Sequence, residues 1–206
     1  MLLADIGNTR VHIYDGKNVS HLSHEEAIAQ YQNVPLSYIC VNHNIKSRIE
    51  HTALWEDISS CLSIKGEYET MGVDRKALCL SHSDGIFIDA GSAITVDMVR
   101  DGVYKGGFIL PGIGAYLESY KMISPALDIE LNRECSLTSL PRTTKDSVSY
   151  GIIASIKAVL DSHKTDLPLY FTGGDGKWLS SLFPNSKFDD LLVFRGMQKA
   201  LKDKSC

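Results

Sequence analysis

One phrase occurs twice in this chain: Asp5-Ile6-Gly7-Asn8-Thr9 near the start and Asp89-Ala90-Gly91-Ser92-Ala93 in the middle. Each copy follows an apolar run (Met1-Leu2-Leu3-Ala4; Ile86-Phe87-Ile88) and leads into alternating residues that end at Asp-Gly (Asp15-Gly16; Asp101-Gly102). A buried strand, a glycine turn and a half-buried strand are therefore expected twice. A duplicated strand–turn–strand unit restricts the fold to two related halves. It also suggests a chemistry, because glycine lets backbone N–H groups approach phosphate and an adjacent aspartate recruits a cation. For either copy alone the bland alternative is a tight hairpin turn, in which Gly and Asn are the expected residues.

The remaining sequence has an α/β rhythm. Residues 24–32 read as a short helix, 37–41 as a buried strand, and 46–61 as a helix-bearing stretch with Ile49, Ala53 and Ile58 at loosely helical spacing. After the second hairpin unit, Gly106-Gly107 and Pro111-Gly112 punctuate a third strand, and a helix follows over 114–123. Residues 128–143 are irregular and polar. The strongest helix spans 144–163, with Val148, Ile152, Ile156, Val159 and Leu160 on one stripe and Thr143 or Thr144 as its cap. A strand over 169–172 empties into Gly173-Gly174-Asp175-Gly176 ahead of a helix from 177 to 183, which is phosphate- or nucleoside-binding geometry. A last helix covers 195–202. With no Pro/Ser-rich linker, the expectation is two lobes sharing an interface, residues 1–80 and 81–206.

Length and charge remove several function classes. At 206 residues and 44% hydrophobic the chain builds ordinary cores, and a formal net charge of −4 argues against nucleic acid as main partner. No apolar run approaches the ~20 residues that cross a bilayer, and Asp5 directly after four apolar residues does not read as a secretory signal. Five cysteines (Cys40, Cys61, Cys79, Cys135, Cys206) never form a Cys-x-x-Cys pair, so free and mostly buried thiols in a reducing cytoplasm are expected, with Cys206 exposed. His21, His24, His43, His51, His82 and His163 lack metal-ligand spacing and read as surface or loop residues.

The ordered set Asp-x-Gly-Asn-Thr, Gly72-Val73-Asp74-Arg75, Asp89-Ala-Gly-Ser-Ala-Ile-Thr-Val-Asp97, Gly-Gly-x-Ile-x-Pro-Gly, Thr-x-x-Ser-Val-x-x-Gly and Thr-Gly-Gly-Asp resembles the type III pantothenate kinases of bacteria, from residue 3 to about 176. The resemblance implies an actin-like (ribonuclease H-like) duplicated fold, two lobes with mixed sheets flanked by helices. It implies an ATP-dependent kinase that phosphorylates pantothenate, using Mg2+ and a monovalent cation (K+ or NH4+), as a cytoplasmic homodimer with no membrane or nucleic-acid partner.

Carried over residue by residue, the resemblance makes Asp74 the general base, Arg75 the clamp for the substrate carboxylate, and Gly72 and Val73 the rest of the substrate element. Tyr68 lines the substrate pocket, and Thr144 closes over substrate from the neighbouring subunit. Asp5 organises magnesium, through water, within an ATP-binding hairpin of Ile6, Gly7, Asn8, Thr9, Arg10, Val11 and His12. Ser92, Gly173 and Gly174 complete the ATP site, and Asp89 is the monovalent-cation ligand.

The residues themselves leave alternatives open. Asp74-Arg75 also suits a surface ion pair at a helix start, and Thr143-x-x-Asp146 also suits a capping box. This sequence has His12 where the family commonly has a lysine and Thr143-Thr144 where it has Asn-Thr, and a neutral imidazole is a poorer phosphate partner than an ammonium. The other functions considered are a kinase for another small hydroxy-acid or sugar and a non-catalytic transcription accessory factor of the same fold.

Overall fold

The computed structural model describes residues 1–204. Strands β1 (Leu2–Ile6), β2 (Val11–Tyr14) and β3 (Val19–Leu22) form an antiparallel meander, and β4 (Leu36–Cys40) and β5 (Trp55–Asp57) lie parallel to β1 on its other side. Helices α1 (His24–Tyr31) and α2 (His43–Ile49) connect them, and α3 (Val73–Leu80) ends the unit. The second half repeats this plan. Strands β6 (Gly85–Ala90), β7 (Ala93–Arg100) and β8 (Val103–Pro111) form the meander, with β9 (Leu169–Thr172) and β10 (Lys187–Phe188) parallel to β6. Helices α4 (Ile113–Ile123), α5 (Thr144–Ser162) and α6 (Gly176–Ser180) connect these strands, and α7 (Leu192–Lys204) ends the chain's described part. The sheet orders, β3-β2-β1-β4-β5 and β8-β7-β6-β9-β10, are the same path walked twice.

Period-two alternation decides where each strand's side chains go. In β1, Ala4 and Ile6 pack with Ile13, Tyr38 and Trp55 on the outer face of the first sheet, while Leu3 turns to the other face. In β6, Ile86, Ile88 and Ala90 pack with Val148, Ile152 and Ile156 of α5, while Phe87 turns away. Leu3 and Phe87 meet in a third core between the sheets, with Ala77 and Leu78 of α3 and Leu192, Phe194 and Met197 of α7. By the same alternation Asp5 and Asp89 share the faces of Leu3 and Phe87, so both aspartates look into the space between the halves. Helices α3 and α7 cross at close range there, and a Cβ on Gly196 would run into the Ala77 backbone.

Some elements depart from the sequence-based expectation. The 46–61 stretch is not one helix: α2 ends at Ile49, and β5 and a single 3-10 turn over Ser59–Cys61 follow. Strand β3 extends the first hairpin into a meander, and α3 begins inside the Gly72-Val73-Asp74-Arg75 segment itself. Of the cysteines only Cys79 is fully buried; Cys40, Cys61 and Cys135 are partly so, and Cys206 lies outside the described residues. His82 is no plain surface residue, since its ring stacks on Tyr170 at 4.4 Å between centroids.

Candidate active site

Both glycine hairpins close as turn chemistry requires, with Gly7 N–H donating to Arg10 O and Gly91 N–H to Ala93 O, each at 3.0 Å. Their tips then meet. The hydroxyls of Thr9 and Ser92, 83 positions apart, lie 2.7 Å from one another. Asn8 is held from the neighbouring strand connection, its carbonyl accepting from Asn42 Nδ2 at 3.2 Å. Beneath the tips, Asp5 sits near the end of β1 with Ile39 and His12 as lateral neighbours, and Asp89 sits at the equivalent place on β6 beside Thr95 and Thr172.

Asp74 is the third carboxylate. Gly72 is the N-cap of α3 and Val73 its first residue, and a Cβ at Gly72 would stand 2.5 Å from Asp74 Oδ1. The Asp74 carboxylate accepts the Arg75 backbone N–H at 2.8 Å, which fixes it at the helix start. The three acids feel one another. Burial, with Asp74 and Asp89 nearby, holds the Asp5 carboxyl well above the ordinary carboxylate range. Burial, with Asp74 and Asp97, pushes Asp89 up to about 7, and burial also raises Asp74 against the pull of Arg75.

Arg75 is 6% exposed and does not stand free. Its Nε donates to both Asp97 carboxylate oxygens (3.0 and 3.2 Å) and Nη2 to Asp97 Oδ1 at 2.6 Å, with Asp97 fully buried on β7. Nη1 donates to Tyr68 Oη at 2.5 Å and Nη2 to Tyr104 Oη at 3.3 Å. Burial works against the guanidinium charge, and Asp97 more than offsets it. The alternative of a surface Asp-Arg pair is therefore corrected: the pair is interior, and the arginine's partner is Asp97 of the second sheet rather than Asp74. Tyr68, 42% exposed, is the accessible end of this cluster.

The Gly173–Gly176 loop abuts the second hairpin. Gly173 has φ +86°, and a Cβ there would collide with the Asp89 carboxylate and the Ala90 carbonyl, so glycine is required twice over. Asp175 N–H donates to Ala90 O at 3.0 Å and Gly174 is open to solvent. The sequence reading misses the wall beside this loop, where Arg133 stacks on Trp178 and pairs with Asp175. It also misses Asp97 and Tyr104. For Asp97 the signals are its place at the end of the Asp89–Asp97 motif and its parity, two residues beyond Thr95, the cross-strand neighbour of Asp89, and so on the same face.

His12 pairs through Nδ1 with His21 Nδ1 at 2.6 Å, and burial, His21 and Arg10 lower its pKa to about 4, so the imidazole is neutral near pH 7. Thr144 is not brought to the cleft of its own chain. It opens α5, which packs on the outer face of the second sheet, and it lines an open cavity of about 570 Å³ with Tyr120, Arg142 and Ser147.

The residues fit hard cations by their donor chemistry. Asp5 and Asp89 offer carboxylate oxygens whose ionised forms lack compensation, and Thr95 Oγ1, across from Asp89, is buried without a hydrogen-bond partner. Among the described residues no three acids, cysteines or histidines converge tightly enough to hold a metal by themselves. Phosphate oxygens and water would have to complete any cation's shell.

A model of the type III pantothenate kinase family matches residues 24–164. A Helicobacter hepaticus protein named type III pantothenate kinase is 39% identical over 207 residues, spanning 98% of both chains. The Wolinella succinogenes protein of that name is 42% identical over 98% of this chain and 97% of its own. A Campylobacter jejuni structure described as a candidate Baf family transcriptional activator superposes with TM-score 0.90 at 35% identity, covering 100% of this chain and 99% of that one. A Sinorhizobium meliloti protein described as a candidate 2-dehydro-3-deoxygalactonokinase shares the fold alone, with TM-score 0.59 at 10% identity over 98% of this chain and 96% of that one.

Proposed function

We propose roles for the cleft residues from one premise: the chain belongs to the type III pantothenate kinase family and phosphorylates pantothenate with ATP, a reaction of coenzyme A biosynthesis. The observation that carries the assignment is the contact of Thr9 with Ser92 above Asp5 and Asp89, which joins two phosphate-type turns over one acidic floor. The ATP phosphates enter between these tips, received by N–H groups of the Gly7–Arg10 turn and by Asn8, Thr9 and Ser92, with the nucleoside along Gly173 and Gly174. Asp74 takes the proton of the substrate's primary hydroxyl as that oxygen attacks the γ-phosphorus. Its raised proton affinity makes it a stronger base than an exposed carboxylate. Arg75 and Tyr68 receive the substrate carboxylate.

Asp5, through water, would hold magnesium, and Asp89 a potassium or ammonium ion. These cations supply the positive charge that the phosphates and the carboxylate floor both need. The neutral His12 leaves that neutralisation to them and to Arg10. Because α5 stands on the outer face of the second sheet, Thr144 reaches substrate only from a second copy, and we propose a homodimer on that ground. Two lobes, 1–80 and 81–206, close on the substrates, and a sequence without any Cys-x-x-Cys pair suits a cytoplasmic enzyme.

A transcriptional role is the second reading, because the Campylobacter jejuni structure carries that description. A net charge of −4 gives DNA phosphates little to bind, and retention on DNA at physiological salt would revive it. The test of the leading reading is ADP formation with pantothenate, magnesium and potassium. Asp74→Asn is expected to lower kcat by roughly 10²–10⁴, and undiminished turnover removes Asp74 as the base.

A further inference from the structure

The buried Asp97–Arg75 pair joins β7 of one half to the first turn of α3, where the proposed base Asp74 also sits. A guanidinium has five N–H groups and no acceptor. In this site the single Nε–H and one Nη2–H go to Asp97, the other Nη2–H to Tyr104, and one Nη1–H to Tyr68. One Nη1–H is left, on the side of the half-exposed Tyr68. A bidentate, fork-to-fork grip on a carboxylate is therefore not open to Arg75 while Asp97 holds it.

We infer that Asp97 is a positioning residue: it occupies the Nε–Nη2 edge of Arg75, turns Nη1 and Tyr68 Oη toward the substrate, and thereby restricts the substrate's acid group to a single-edge contact. Asp97 touches no substrate atom. It acts through Arg75, with Tyr104 as the second constraint on the guanidinium plane. The arrangement also cancels most of the arginine's charge, so selectivity for an acid comes from a directed N–H and a hydroxyl rather than from a bare cation. The inference rests on the reading of Arg75 as the carboxylate's partner.

The experiment compares pantothenate with its alcohol analogue, in which a hydroxymethyl group replaces the carboxylate, in wild type, Asp97→Asn and Tyr104→Phe. Wild type is expected to favour the acid. Asp97→Asn should raise KM for the acid about tenfold or more while changing KM for the alcohol less than about twofold, because the guanidinium is no longer held with Nη1 toward the acid group and nothing the alcohol uses is lost. Tyr104→Phe, which removes only a hydroxyl, should move the acid KM the same way by about two- to fivefold. Equal losses for acid and alcohol mean that Asp97 is merely structural and overturn the inference. Should Asp97→Asn fail to fold, Tyr104→Phe decides alone, and an unchanged acid KM there overturns it. A wild type indifferent between acid and alcohol sinks the Arg75 assignment, and the positioning role with it, before any variant is made.

Discussion

At Asp89 a carboxyl is placed where its charge is least welcome, and the consequence is measurable as stability. Burial and the charges of Asp74 and Asp97 push its pKa from 3.8 up to about 7. An acid with a raised folded-state pKa binds more protons folded than unfolded, so its favourable contribution is complete below pH 4 and is lost as pH climbs through 7. At about 1.4 kcal/mol per pKa unit, up to about 4 kcal/mol is at stake. Asp5, raised for the same reasons, adds in the same direction. The ligand-free protein should therefore melt lower at pH 8 than at pH 5, and Asp89→Asn should melt several degrees above wild type at pH 8 while losing activity. Thermal unfolding at both pH values is the measurement; a variant less stable than wild type at pH 8 would show that the Asp89 charge is already compensated in the empty cleft. The aspartates are legible in the sequence because strand, glycine and acid occur together in four letters. The pairing of Asp97 with Arg75 is not, because the partners are 22 residues apart and the meeting depends on how two halves pack.

The elements divide in the same way between local and distant causes. Hairpins and α5 can be read directly, since turn residues, a cap and a stripe are written within a few positions of one another. Thr143 caps α5 through Asp146, accepting its N–H at 3.1 Å and donating to its carboxylate at 2.8 Å, while Thr144 is the first helical residue and exposed. Strand β5 escapes the sequence because it has three residues, of which only Trp55 is buried, and its pairing with β4 supplies what local pattern lacks. Helix α3 is short and carries a buried arginine, which no amphipathic template expects. The two threonines can now be separated. Thr143→Ala should cost about 1 kcal/mol of stability through the lost cap, with KM for pantothenate little changed. Thr144→Ala should leave the melting temperature within a degree or two and raise that KM severalfold, if the hydroxyl serves a neighbouring subunit. Calorimetry and steady-state kinetics on both variants tell the roles apart, and a KM effect confined to Thr143→Ala would reverse the assignment.

For the whole molecule, the distribution of apolar surface bears on the second copy. Met122 and Ile123 close α4 at 83% and 72% exposed, Leu140 in the loop before α5 is 81% exposed, and Ile109 on β8 is 57% exposed. All four belong to the second half, and β8 is the edge strand of its sheet. The Thr144 cavity is bounded by Tyr120 of α4 and by Leu127, so the cavity and part of this apolar surface are carried by one helix and its following turn. Such a surface is costly to leave in water, and covering it with the same surface of a second copy would bring Thr144 of one chain toward the cleft of the other. Met122→Glu with Ile123→Lys places charge on the most exposed part of that surface without touching a core. Light scattering should show wild type at twice the chain mass and the double variant shifted toward the single mass. The KM for pantothenate should rise in step with dissociation, because each cleft would lose the threonine supplied from outside. A wild type that is monomeric and fully active would place the completion of the substrate site within one chain, and Thr144 would then be left as the first residue of a helix and nothing more.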